Sequence, residues 1–190
     1  MTEHSVKSSA YVLLHHYRTD LNAVTFTTLS GDLVVKRQDD LLEMSFPAYD
    51  LQKVDITDQL ISELGVRPLE AYMGRDLLCI LPDENQVQQF VPDLEKIQEL
   101  DGLLLHLSAK GKDFDCISRS FAPKLAIEED PVCVSSHCHI APYWSSRLQK
   151  EELVAYQVSQ RGGNLYYRVE NDKVYLSGKA ALFSIADLYI

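Results

Sequence analysis

Residues Glu129-Asp130-Pro131-Val132-Cys133-Val134-Ser135-Ser136-His137-Cys138-His139 gather two acids, two hydroxyls, two imidazoles and two thiols within eleven positions. An acid, a proline and two hydroxyls ahead of the apolar run Ile140-Ala141 write a helix N-terminus. Such a terminus directs unpaired N–H groups and partial positive charge at whatever sits above it, which suits a carboxylate or an enolate. Bare capping accounts for the same residues, with Ser135 as the N-cap and Asp130 stabilising the helix start. Cys133, His137, Cys138 and His139 are also zinc-ligand types. Their spacing lacks the second ligand pair that a closed site needs, and the chain has no H-x-E ahead of a P-C-x-x-C, so no metal is expected. His137 and His139, two positions apart on a helix, face different ways and cannot reach one ligand together, so one of them is a structural histidine. His106, in an apolar stretch, reads as a core residue. Glu128 and Glu129 beside Asp130 read as a solvated acidic turn, and Arg161-Gly162-Gly163 as a hairpin turn whose glycines supply positive φ.

The elements that must carry these groups follow from periodicity and punctuation. Residues 8–17 read as a helix opened by serines, and residues 135–148 as the helix of the polar cluster. A short helix spans 55–65, with Thr57 to cap its front and Gly65 to end it. Polar helical pieces follow at 84–90 and 93–100. Strands are expected at 23–28, 32–37, 41–46, 103–108 and 113–118, with a hairpin turning at Gly74-Arg75 and three further strands after residue 150. Strands and two apolar helices without a steady βαβ alternation argue for an α+β fold.

Composition bounds the rest. With 190 residues, 46% hydrophobic and 24% charged, the chain has enough apolar residues for a real core. A net charge of −10 and a pI near 5.0 argue against nucleic acid and anionic membranes as partners. No apolar run reaches the length of a membrane span and the first residues show no signal-like apolar region, so a cytoplasmic protein is expected. The four cysteines lack the paired spacing of a disulfide framework and read as free thiols.

Longer stretches carry a resemblance. The run Glu129–His137 resembles the E-D-P-V-x-G-S-x-H signature of the PhzF-like phenazine-biosynthesis isomerase family, and it continues through Tyr143-Trp144. Gln157-Val158-Ser159-Gln160-Arg161-Gly162-Gly163 is similar to that family's Q-x-S-x-R-G-G hairpin. Ser118-Arg119-Ser120-Phe121-Ala122-Pro123, Phe26–Val35, Met44–Ala48 and Lys173–Ala180 match further family segments. The resemblance implies a diaminopimelate-epimerase-like fold, in which two similar halves each curl a mostly antiparallel sheet around one central helix. Residues 8–17 and 135–148 would be those helices. Residues 1–66, joined by a final strand near 182–190, would form the first half, and residues 67–181 the second.

The implied activity is a cofactor-independent isomerisation that moves a proton within a small carboxylate-bearing metabolite. Asp130, Ser135 and His4 are the implied catalytic positions, His4 falling where the family's G-H-A-T histidine would lie. Ser135, Ser136 and His137 are the implied substrate contacts. Two departures stand out. Val134 occupies a family glycine, and the S-E-T-x-F segment that carries the family's proton-shuttling glutamate has no counterpart here. An N-terminally truncated, divergent member with impaired turnover is therefore expected. Its incomplete first half would expose strand edges, which favours a homodimer. The alternative is a non-catalytic fragment or a binding and oligomerisation protein that retains the fold.

Overall fold

Two helices organise the chain, and each draws a sheet around itself. A computed structural model describes residues 3–29 and 31–187, with the side chains of Glu3 and His4 left aside. It separates into two compact units, one made of residues up to Ser45 with those from Ser177 onward, the other of Phe46–Leu176.

In the first unit, α1 (Glu3–Val12) runs into a π-helical turn at Leu13–Tyr17. Val6, Ala10 and Leu14 recur every four residues and are fully buried, so one stripe of the helix faces the core. α1 begins at Glu3, earlier than the serines suggest, because the buried row begins at Val6; Ser8 and Ser9 lie exposed on the outer face. β1 (Ala23–Thr28), β2 (Gly31–Gln38) and β3 (Leu41–Pro47) form an antiparallel meander in which Val24 pairs with Val35 and Val35 with Met44. Arg37 ties the helix end to this sheet. Its guanidinium donates to the carbonyls of Leu14 (2.9 Å) and Thr19 (3.2 Å) and to the Asn22 side chain (3.1 Å).

The second unit runs β4 (Gln52–Val54), α2 (Asp58–Leu64), β5 (Glu70–Met73), β6 (Leu77–Ile80), α3 (Glu84–Gln88), α4 (Leu94–Glu99), β7 (Leu105–Lys110), β8 (Cys116–Phe121), α5 (Val134–Leu148), β9 (Glu152–Gln157), β10 (Gly163–Glu170) and β11 (Lys173–Gly178). Its strands lie in the order β11-β10-β9-β8-β7-β6-β5-β4. β6 with β7 and β8 with β9 pair parallel, whereas β4 with β5, β5 with β6, β7 with β8 and β9 with β10 pair antiparallel. Residues 46–66, grouped with the first half from sequence, pack here in the second unit: β4 pairs with β5, and Leu60 and Leu64 join its core. Thr57 caps α2 by accepting from the Leu60 N–H at 3.1 Å, and Gly65 closes it at φ 72°.

Both faces of this sheet are buried, which explains its near-continuous apolar strands. Alternation sends Leu77 and Cys79 of β6 into one core with Leu60, Val87, Ile97, Leu107 and Phe121. Leu78 and Ile80 go into the other, with Ile140, Ala141 and Trp144 of α5, Leu153, Leu165 and Val174. Every residue of α5 from Ser136 to Ala141 is buried, so its polar side chains need internal partners. The final strand expected near 182–190 does not form over 182–187; positions 188–190 lie outside the described residues. No helix among the described residues is long and apolar enough to cross a membrane.

Truncation of the fully buried Ile140 to alanine is expected to cost about 2–5 kcal/mol through lost burial and a residual cavity. Val91→Ala, at a largely exposed position, is expected to stay within about 0.5 kcal/mol. Urea unfolding followed by the fluorescence of Trp144, the single tryptophan, compares the two; equal costs would refute this assignment of the core.

Candidate active site

The first turn of α5 has no cap of its own. Cys133 stands at the N-cap position without a side-chain cap bond, so Ser135 is not the N-cap that its composition suggests. The cap is supplied from β9 instead. The buried Gln157 amide accepts from the Cys133 N–H (2.9 Å) and from His137 Nε2 (3.0 Å), and its Nε2 donates to the Asp130 carbonyl (2.6 Å). The chain ahead of the helix is pinned twice more. The Asp130 N–H donates to the Ser120 carbonyl at 2.9 Å. Arg119 forks onto both oxygens of Glu129 at 2.8 Å, so the acidic turn is in part a salt bridge rather than wholly solvated. Asp130 is half-buried, and its Oδ1 accepts from the Val132 N–H at 3.1 Å.

The β5–β6 turn closes against the same helix end. Arg75 donates through Nε and Nη2 to Asp76 (3.0 and 2.6 Å), and Nη2 also reaches Ser135 Oγ at 3.0 Å. The Asp76 carboxylate is fully buried and takes a third bond from His106 Nε2 at 3.0 Å; His106 Nδ1 accepts from Ser120 Oγ at 3.1 Å. His139 accepts from the Asp76 N–H at Nε2 (3.3 Å) and donates from Nδ1 to the Ser135 carbonyl (3.1 Å). Gly74 suits this approach, since a Cβ there would lie 3.0 Å from the His139 ring and would have to push it aside by a few tenths of an ångström.

Pro142 sets the remaining wall. A proline cannot donate to the carbonyl four residues back, and that carbonyl, of Cys138, accepts from the Tyr49 N–H at 3.1 Å instead. Tyr49 then stacks on His139 with ring centroids 4.1 Å apart, and Arg75 Cζ lies 5.4 Å from the Tyr49 ring.

Of the residues singled out from sequence, Asp130, Ser135 and Ser136 gather at this helix start. Ser136 is buried and donates to the Cys133 carbonyl at 2.7 Å. His137 points into the core with both ring nitrogens engaged, Nε2 by Gln157 and Nδ1 by the Tyr167 hydroxyl. His137 and His139 do face different ways. His4 lies in the first turn of α1 in the other unit. Val134 packs against the apolar cluster around α5. Arg75, Asp76, Tyr49 and Gln157 did not emerge as site residues. The sequence signals that point toward them are the Gly74-Arg75 turn and the glutamine of the Q-x-S-x-R-G-G segment.

Burial pushes His137 down to about 3 and His139 down to about 4, with His106 a lesser contributor to the second. His106 is lowered mainly by burial, against the pull of Asp76. Burial opposes the Asp76 charge, yet the bonds from His106 and Arg75 outweigh it and hold that carboxyl well below the usual carboxylate range. Burial, aided by the Asp130 charge, raises the Cys133 thiol to about 11. All four cysteines are buried and free. Asp76, His106 and His139 bring potential ligand atoms within 4.8 Å of one another. They do not fit a metal ion: the lone pairs of both imidazoles already accept from Ser120 and the Asp76 N–H, and Arg75 sets a positive fork on the shared carboxylate.

Residues 2–186 match the family described as phenazine biosynthesis-like protein, PhzC-PhzF. An uncharacterized isomerase of Pseudomonas aeruginosa is 35% identical over 187 residues, covering 98% of this chain and 72% of the relative. Phenazine biosynthesis-like domain-containing protein 2 of Mus musculus is 32% identical, over 94% and 69% of the two chains. The crystal structure of a PhzF-family protein from Enterococcus faecalis superposes with a TM-score of 0.94 at 37% identity, covering all of this chain and 74% of that one. The α+β, epimerase-like architecture expected from sequence is thereby shown.

The neutral histidines make stability fall with acid. Between about pH 6.5 and the depressed values near 3 and 4, the unfolded chain binds more protons than the folded one, so stability drops as pH falls through that window. Each histidine contributes a slope of up to about 1.4 kcal/mol per pH unit. Urea midpoints at pH 7.5 and 5.0 check this, and equal stabilities would contradict the neutral assignment.

Proposed function

We propose, for a chain that belongs to the phenazine biosynthesis-like (PhzC-PhzF) isomerase family, that it binds a small carboxylate-bearing metabolite at the first turn of α5 and serves cofactor-independent proton transfer there. The observation that supports this reading most is the meeting of the half-buried Asp130 carboxylate and the Ser135 hydroxyl at one helix start held rigid by Gln157. The first-turn N–H groups and the helix dipole favour a carboxylate and stabilise the enolate-like charge that develops when the neighbouring C–H is deprotonated.

Asp130 is the acid–base on this reading. Among the described residues only its Oδ1 is engaged, by the Val132 N–H, which leaves Oδ2 to take and return the proton. The buried histidines are committed at both nitrogens, and Asp76 is held ionised by Arg75 and His106, so these groups serve as scaffold. With one uncommitted carboxylate among the described residues of the site, we infer that turnover by this chain is weak while carboxylate binding persists.

Solvent-deuterium incorporation into small 2-hydroxy and 2-amino carboxylates, with calorimetric titration of the same compounds, tests the reading. Binding with slow exchange is expected, and Asp130→Asn is expected to reduce that exchange by about 10²–10⁴ while sparing affinity. Exchange unaffected by Asp130→Asn, or no binding at all, would sink it. Self-association as a homodimer is proposed alongside, supported by Leu182, Phe183 and Ile185, which are exposed by 45%, 100% and 80%. Light scattering at micromolar concentration is expected to show a dimer that F183S/I185S converts to monomer; a monomeric parent chain would refute it.

A further inference from the structure

We infer that Arg75 is the specificity-determining residue of this site, selecting a carboxylate over a neutral group of the same shape, and that the buried Asp76–His106–Ser120 row is what positions it. The inference rests on the carboxylate-binding reading above and assigns the recognition to a side chain that none of the sequence motifs contains.

The guanidinium spends one edge on the protein. Nε and Nη2 grip the two oxygens of Asp76 at 3.0 and 2.6 Å, and Nη2 adds the bond to Ser135 Oγ at 3.0 Å. Among the described residues nothing accepts from Nη1, which stands on the opposite edge of a side chain that is 38% exposed. Among the described residues two charged N–H donors are thus unengaged on a guanidinium whose Nη2 holds the Ser135 hydroxyl.

The plane of the group is fixed from behind and from one face. Asp76 is fully buried and held by His106, which Ser120 backs in turn; the Tyr49 ring supports the guanidinium at 5.4 Å. The same row reaches the acid–base side of the site, because the Ser120 carbonyl accepts from the Asp130 N–H. One hydrogen-bonded framework therefore sets the distance between the recognising cation and the reacting carboxylate.

A carboxylate presents only acceptor oxygens to the diverging Nη1 hydrogens and takes a charge-assisted bond from one of them. A primary amide offers one acceptor and turns its own N–H donors toward them, leaving polar groups opposed. The bland reading is that Arg75 merely clasps the β5–β6 turn to α5. The two readings differ in what they do to ligand discrimination.

The experiment is a calorimetric titration of the wild-type chain, Arg75→Gln and Arg75→Lys with a panel of small carboxylates, each paired with its primary amide, alongside thermal melts of all three proteins. The wild type is expected to favour carboxylates at least about tenfold. Arg75→Gln is expected to lose roughly 10–100-fold for the carboxylates with little change for the amides, and Arg75→Lys to fall between. An Arg75→Gln protein that keeps the wild-type preference, or loses carboxylate and amide binding equally together with melting temperature, would overturn the inference. A wild type that binds no carboxylate of the panel would instead remove the underlying reading, and the inference with it.

Discussion

One buried amide holds the site together. Gln157 lies in the interior of the second unit, on a strand paired parallel with β8 and antiparallel with β10. Its three hydrogen bonds fix the carbonyl before α5, the N–H at its N-cap and the histidine of its first turn. Leaving any of these buried groups unpaired costs about 1–3 kcal/mol. The loop that carries Asp130 therefore has one favourable arrangement, and the direction of α5 follows from it. The serine-rich helix start contributes little of this, since its cap position is a cysteine without a cap bond.

A second set of constraints closes the opposite wall by the same logic. Proline within α5 frees a carbonyl, the freed carbonyl captures Tyr49, and Tyr49 lies across His139. His139 bridges the Asp76 N–H and the Ser135 carbonyl, so the β5–β6 turn and the helix start are joined by backbone groups as well as by the Arg75 side chain. Charge is balanced within the cluster. Three imidazoles stay neutral through burial, and the one buried carboxylate is matched by one guanidinium. Nothing in it needs an ion.

Rigid surroundings suit proton-transfer chemistry, because donors already in place for the developing charge need no reorganisation at the moment of reaction. Val134, expected from the resemblance to stand in for a glycine, packs against the apolar cluster around α5. The anion-favouring end of the helix depends on backbone groups, and Gln157 fixes the chain just ahead of them through the Cys133 N–H and the Asp130 carbonyl.

The sequence alone located the helix of the site to within one residue, at Val134–Leu148 against an expectation of 135–148. It also placed a helix at 55–65, which forms at Asp58–Leu64 between the Thr57 cap and Gly65, and most strands, and the long motif match carried the family. These features are local: a 3.6- or 2-residue period, a capping hydroxyl or a left-handed glycine is written where it acts. Sequence does not separate the structural histidine from the one that joins the site, because both lie buried on one helix and differ only in what faces them. The pairings of Asp76 with His106, 30 residues away, and of its N–H with His139, 63 residues away, exist only once β6, β7 and α5 are packed. Single-chain patterns record which faces are buried. They do not record which distant strand supplies the partner for a buried polar group, and that choice belonged to the tertiary structure.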